Sequence, residues 1–80
     1  MLRVNLSRIE EEMRILAEER TKNVAGDAPM LSIGQAARVW NKSPYWVRTM
    51  QTAGRVPTVP FGNMEKVQRA VVIIGLVRGV

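Results

Sequence analysis

The chain has no cysteine and no histidine. The first absence excludes disulfides and thiolate metal sites, so nothing covalent staples an 80-residue domain whose core can only be small. The second removes the commonest metal ligand and the commonest general base. Catalysis would then rest on Asp27, the glutamates, the lysines or Tyr45, and no pair of these stands at a spacing suited to acid–base work. There is no phosphate-cradling loop, since the scattered Gly34, Gly54 and Gly62 answer to helix and turn requirements. An enzyme, a cofactor and a metal are therefore not expected. Long apolar runs are scarce too. The run from Ala70 to Val77 is far short of the roughly 20 residues that span a bilayer, and the apolar residues near the N-terminus are spaced rather than contiguous. The expectation is a soluble, cytoplasmic protein with no membrane partner.

Acidic residues are nearly missing from one part of the chain. Residues 1–27 hold five basic and six acidic side chains, whereas residues 28–80 hold seven basic and one acidic. The overall charge of +5 is thus carried by the second segment, where a polyanion would be met.

That basic segment contains the best-punctuated stretch of the sequence, Leu31 to Pro57. Ser32 followed by Gln35 is a capping-box spacing. Ile33, Ala36, Ala37 and Trp40 then recur at helical intervals. Asn41 and Lys42 interrupt this face, and Ser43-Pro44 restarts the chain as a serine N-cap with proline at the first helical position. Val47, Met50 and Ala53 predict the buried stripe of a second helix, 44–53, which Gly54 ends. Two short helices around a tight turn form a helix-turn-helix, whose second helix is the one that enters the DNA major groove.

The residues SIGQAARVW, then SP, then VR, then AGRVP resemble the N-terminal DNA-binding motif of the MerR-type regulators. They are similar also to the small phage excisionases that share that winged-helix fold. The resemblance implies a duplex-DNA partner, an arginine on the second helix (here Arg48), a β-hairpin wing after it and a closing helix. MerR-type regulators proper continue into a long coiled coil and often an effector domain; neither is present, so no small-molecule effector is expected.

With Val47, Met50 and Ala53 inward, Tyr45, Arg48, Thr49 and Thr52 point outward. Arg48 can bond bidentately to guanine or clamp a phosphate, Tyr45 can donate to a phosphate, and a threonine methyl can touch a thymine methyl. Ser43 and the helix start behind it can meet a phosphate oxygen. Arg55, Asn63 and Lys66 are further phosphate candidates. Trp40 is expected in the core. Three roles stay open for Trp46: covering the core edge, packing under the N-terminal helix, or lying along DNA.

Residues 1–24 predict an amphipathic helix capped at Ser7 and ending near Asn23, with residues 25–31 as a linker to the 32–80 domain. Leu2, Leu6, Ile9, Met13 and Leu16 form a short heptad-like seam. It either packs on the protein's own core or joins a second copy of the chain. After the second helix, Val56, Val59 and Phe61 alternate as a short strand that Pro57 and Pro60 confine to a sheet edge, and Gly62-Asn63 suits a hairpin turn. Met64, Glu65 and Lys66 follow without an aromatic or basic strand, so the wing is expected to be reduced or absent. Asn63 is instead read as the N-cap of a closing helix with Val67, Ala70, Val71, Ile74 and Val77 on one face; for residues 70–77, rich in β-branched side chains, a strand stays open as the alternative. Val72, Ile73, Leu76 and Val80 lie off that stripe, and such surplus apolar area suggests a partner surface.

The fold expected is mainly α: a small helix-turn-helix with an N-terminal helix and a C-terminal helix. The function expected is sequence-specific binding of double-stranded DNA, as a homodimer or higher homo-oligomer assembled through Leu6, Ile9, Met13, Leu16, Ile73 and Leu76. A small transcriptional regulator (a phage or plasmid repressor of the Cro kind) and an excisionase both fit. The alternative is a protein-interaction adaptor or anti-repressor for which the helix-turn-helix is scaffold only.

Overall fold

The computed structural model describes residues 6–79. Four helices surround a small sheet in the order α1 (Leu6–Ala25), β1 (Met30–Ser32), α2 (Ile33–Trp40), α3 (Pro44–Thr52), β2 (Val59–Phe61), β3 (Met64–Gln68), α4 (Arg69–Arg78). The chain is mainly helical, as its patterning predicts. Among the described residues no helix is long and apolar enough to cross a membrane.

The helix-turn-helix forms where its local signals stand. The Ser32 side chain accepts from the Gln35 N–H at 3.1 Å while the Gln35 side chain accepts from the Ser32 N–H at 3.0 Å, so both halves of the capping box close. Asn41 ends α2 in the left-handed region at φ 57, and the Lys42 N–H returns to the Ala37 carbonyl at 2.8 Å. Ser43 caps α3 by accepting from the Trp46 N–H at 3.1 Å, with Pro44 in the first turn. Ala53 is the C-cap and Gly54 follows at φ 78, where a side chain would be strained.

The sheet has strand order β1-β3-β2, both pairings antiparallel. β2, which contains Pro60, lies at an edge, where its missing N–H leaves no central ladder broken. Gly62 (φ 63) occupies the first position of the two-residue turn, the glycine placement of a type II′ hairpin. The return strand is therefore present, and the wing is reduced to a short hairpin rather than absent. Asn63 sits in the turn and is not a helix N-cap; α4 begins six residues later, after Gln68. The reason is non-local. Met64–Gln68 serves both β1 and β2, and a helix started at Asn63 would leave the backbone groups of both flanking strands unpaired.

The core is built from Leu31, Ile33, Ala36, Ala37, Val39, Trp40, Val47, Val56, Val67 and Val72. Residues 70–77 are helical despite their β-branching, because Val72 is fully buried and Val71 and Leu76 pack beside it. The helix is thus turned from the stripe expected: Ala70 and Ile74 are exposed, and Val67 belongs to β3. Ala53 also departs from the expected α3 stripe; as the C-cap it is exposed, Met50 is half-buried, and Val47 alone is sealed.

α1 already includes Ser7, so that serine is not its N-cap, and the helix runs two residues past Asn23. Ala17 and Thr21 are its buried residues, with Val24 and Ala25 packed at the core edge. The Thr21 hydroxyl donates to the Ala17 carbonyl at 2.7 Å, which satisfies it without a tertiary partner. Ile9, Met13 and Leu16 remain exposed, so the seam does not pack on the protein's own core. Leu2 and the Leu6 side chain lie outside the described residues. The breaker segment after α1 is short and pinned: the Arg69 guanidinium donates to the carbonyls of Gly26 (2.8 Å) and Ala28 (3.0 Å), and its latter part is β1.

Candidate nucleic-acid interface

α3 presents Tyr45, Arg48, Thr49 and Thr52 to solvent on one face, with Tyr45 81% exposed. The Thr49 hydroxyl donates to the Tyr45 carbonyl at 2.9 Å, and the Thr52 hydroxyl to the Arg48 carbonyl at 3.0 Å. Both hydroxyl protons are thereby engaged one turn back, and each threonine offers mainly its methyl group outward. Among the described residues the Arg48 guanidinium has no hydrogen-bond or ion-pair partner, which leaves its five donors available. Ser43, exposed, uses its oxygen as the cap described above and keeps its hydroxyl proton.

The start of α3 faces the start of α2 and the hairpin tip across a shallow concavity lined by Ser32, Gly34, Pro44, Arg48, Asn63 and Glu65. Arg48 and Asn63, fifteen residues apart in sequence, thus meet at one site. Glu65, the sole acid of residues 28–80, shares it, and Gln51 of α3 holds the carboxylate by donating its side-chain amide. The same amide nitrogen lies 3.0 Å from the Thr58 hydroxyl, so the outer hairpin is tied to α3 at two points.

Two further candidates do not line this concavity. Arg55 is exposed but lines a different concavity with Trp40, Val56, Val71 and Gly75, on the α4 side. Lys66 is half-buried on the central strand, its ammonium 4.5 Å from the centroid of the Phe61 ring. Trp40 is core, as expected, and its indole N–H donates to the Val72 carbonyl at 2.9 Å. Trp46 takes the first of its three possible roles. It covers the core edge, meeting Trp40 edge-on at 6.2 Å, with the Lys42 ammonium 5.3 Å from its ring centroid.

Ion pairs between described residues lie on α1: Arg8–Glu12, Arg14–Glu11 and Arg14–Glu18, at 3.6 to 4.0 Å. They are exposed and contribute little stability. They match Glu11, Glu12 and Glu18 within that helix, while Arg38 and Arg48 of the helix-turn-helix lack acidic partners among the described residues.

Of the residues expected to mediate self-association, Met13, Leu16 and Leu76 border one apolar concavity, Leu76 itself being half-buried. Ile73 is half-buried on the other side of the α1–α4 contact, beside Glu18 and Lys22. Sequence reasoning passed over Gln51 and the pairing of Phe61 with Met64. Gln51 carries no local signal, because its partners lie on a hairpin whose register is not local. Phe61 and Met64 could have been found, since they flank the Gly62-Asn63 turn and must pair if the hairpin closes. No protein-family model, curated protein or solved structure matches the chain.

Proposed function

We propose that the chain binds double-stranded DNA in a sequence-specific manner, with α3 in the major groove. The observation that carries this reading is the Arg48 guanidinium, unpaired among the described residues, on the exposed face of a capped helix beside Tyr45, Thr49 and Thr52. Arg48 reads a guanine edge or clamps a phosphate, the threonine methyls meet thymine methyls, and Tyr45, Ser43 and Asn63 set the register on the backbone. The cationic excess of residues 28–80 supplies the salt-dependent part of the affinity.

The working form is a homodimer or higher assembly in the cytoplasm, joined through the exposed Ile9, Met13 and Leu16 and the neighbouring Leu76. A small regulator of the repressor type and an excisionase both use such a particle. Selection of bound sequences from random duplex DNA by the full chain tests the reading. Enrichment of an inverted repeat identifies a dimeric regulator, tandem direct repeats identify cooperative binding of the excisionase kind, and no enrichment rejects sequence-specific binding. The exposed α1 seam also favours a second reading, a protein-interaction adaptor, which predicts a heterologous partner and no duplex affinity.

A further inference from the structure

The tip of the β2–β3 hairpin is apolar where solvent exposure favours a polar turn. Phe61 is 58% exposed and Met64 57% exposed, and the two are cross-strand partners directly flanking Gly62-Asn63. Paired residues of an antiparallel ladder share a face, and side chains alternate along each strand. Phe61 and Met64 therefore project together, on the face that also carries Val59 and Lys66. Pro60 and Glu65 occupy the opposite face, and the Glu65 carboxylate is drawn toward α3 by Gln51. The tip thus combines two bulky apolar side chains with a cation stacked behind one of them, its acid turned away.

Its placement makes this more than an isolated apolar pair. Met64 and Asn63 line the same concavity as Pro44 and Arg48, so the tip and the start of α3 open on one side of the molecule. The Gln51 contacts to Glu65 and Thr58 link the two.

We infer that the hairpin tip is a wedge: Phe61 and Met64 enter the minor groove next to the major-groove segment read by α3, partly unstack a base step and kink the duplex, while Lys66 meets the flanking phosphates. The inference rests on the DNA-binding reading and specifies what the second element does. Apolar side chains inserted between base steps kink DNA by roughly 20–90° toward the major groove. Flexible pyrimidine–purine steps resist least, which predicts a TA or CA step at the wedge position.

The test uses the full chain and a duplex selected by it from random sequence. Bending is read from end-to-end energy transfer, and unstacking from a 2-aminopurine placed along the minor-groove segment. Wild type is expected to bend the duplex and brighten one 2-aminopurine position. The double variant Phe61→Ser, Met64→Ser is expected to lose both signals while binding within about tenfold of wild type. The pair Phe61→Leu, Met64→Leu should keep the bend. A straight wild-type complex overturns the wedge, as does a serine variant that bends DNA equally. If the serine variant changes only the molar mass in light scattering and leaves the bend intact, the tip is a self-association surface and the wedge is wrong. Failure of wild type to bind any duplex rejects the DNA-binding reading itself, and that result is distinct from a straight complex. Circular dichroism confirms that the variants fold.

Discussion

Gln51 on α3 donates its side-chain amide to the Glu65 carboxylate on β3, joining the helix and the hairpin across fourteen residues of sequence. With the contact to Thr58, this couples the orientation of the hairpin to that of α3. Replacing Gln51 with leucine removes both bonds at a half-buried position. The expected cost is about 1 kcal/mol in urea denaturation. Amide exchange should accelerate in Val59–Phe61 and the adjoining end of β3. Exchange identical to wild type would mean that pairing with β1 alone holds the hairpin.

Arg48→Ala removes a solvent-facing side chain and should leave the fold and the molar mass unchanged. Specific DNA binding should weaken by about 1–3 kcal/mol and one base position should relax. Fluorescence anisotropy on selected duplexes reads both effects. Equal binding of wild type and variant to the same duplexes would remove α3 from the reading role.

Trp40→Phe addresses stability. The indole N–H to Val72 carbonyl bond crosses from α2 to α4 inside the core, and the smaller ring also leaves space. Losses from the bond and the void together should come to about 1–3 kcal/mol. For a domain of this size each kcal/mol lowers the melting temperature by roughly 4–8 °C. A melting temperature equal to wild type would show that α4 is held by its α1 contact instead.

Leu16, at 64% exposure, contributes little to the protomer, so Leu16→Glu should leave the circular dichroism spectrum unchanged. Combined with Met13→Glu, it should convert an assembled wild type to monomers in light scattering. A wild type that is monomeric at its highest soluble concentration rules out self-association through this seam.

What could be read in advance follows the range of the responsible interactions. Ser32 with Gln35, Ser43 with Pro44, and Gly54 act within one helical turn of themselves, and each set its element boundary as expected. Asn63 suits both the hairpin turn and a helix N-cap, because the residue types that cap helices also fill turns, and the turn is what forms. The strand after it is ambiguous by composition: Met64, Glu65, Lys66 and Gln68 all suit helices, and only distant Met30–Ser32 and the returning β2 make them a strand. On α1 the large apolar residues Ile9, Met13 and Leu16 are exposed, whereas Ala17 and Thr21 face the core, where small side chains let helices approach closely. At the candidate interface the outward set on α3 was legible from periodicity alone. The convergence of Arg48 with Asn63, and the remoteness of Arg55, depend on how the hairpin and α4 fold back.

The near-balance of charge in residues 1–27, five basic side chains against six acidic, has a consequence for approach in solution. That segment is nearly silent to a distant polyanion and residues 28–80 are not, so the long-range field exerts a torque during diffusion. The chain would arrive turned toward the charged surface before any atom touches, and added salt would slow its arrival by shortening the reach of that field.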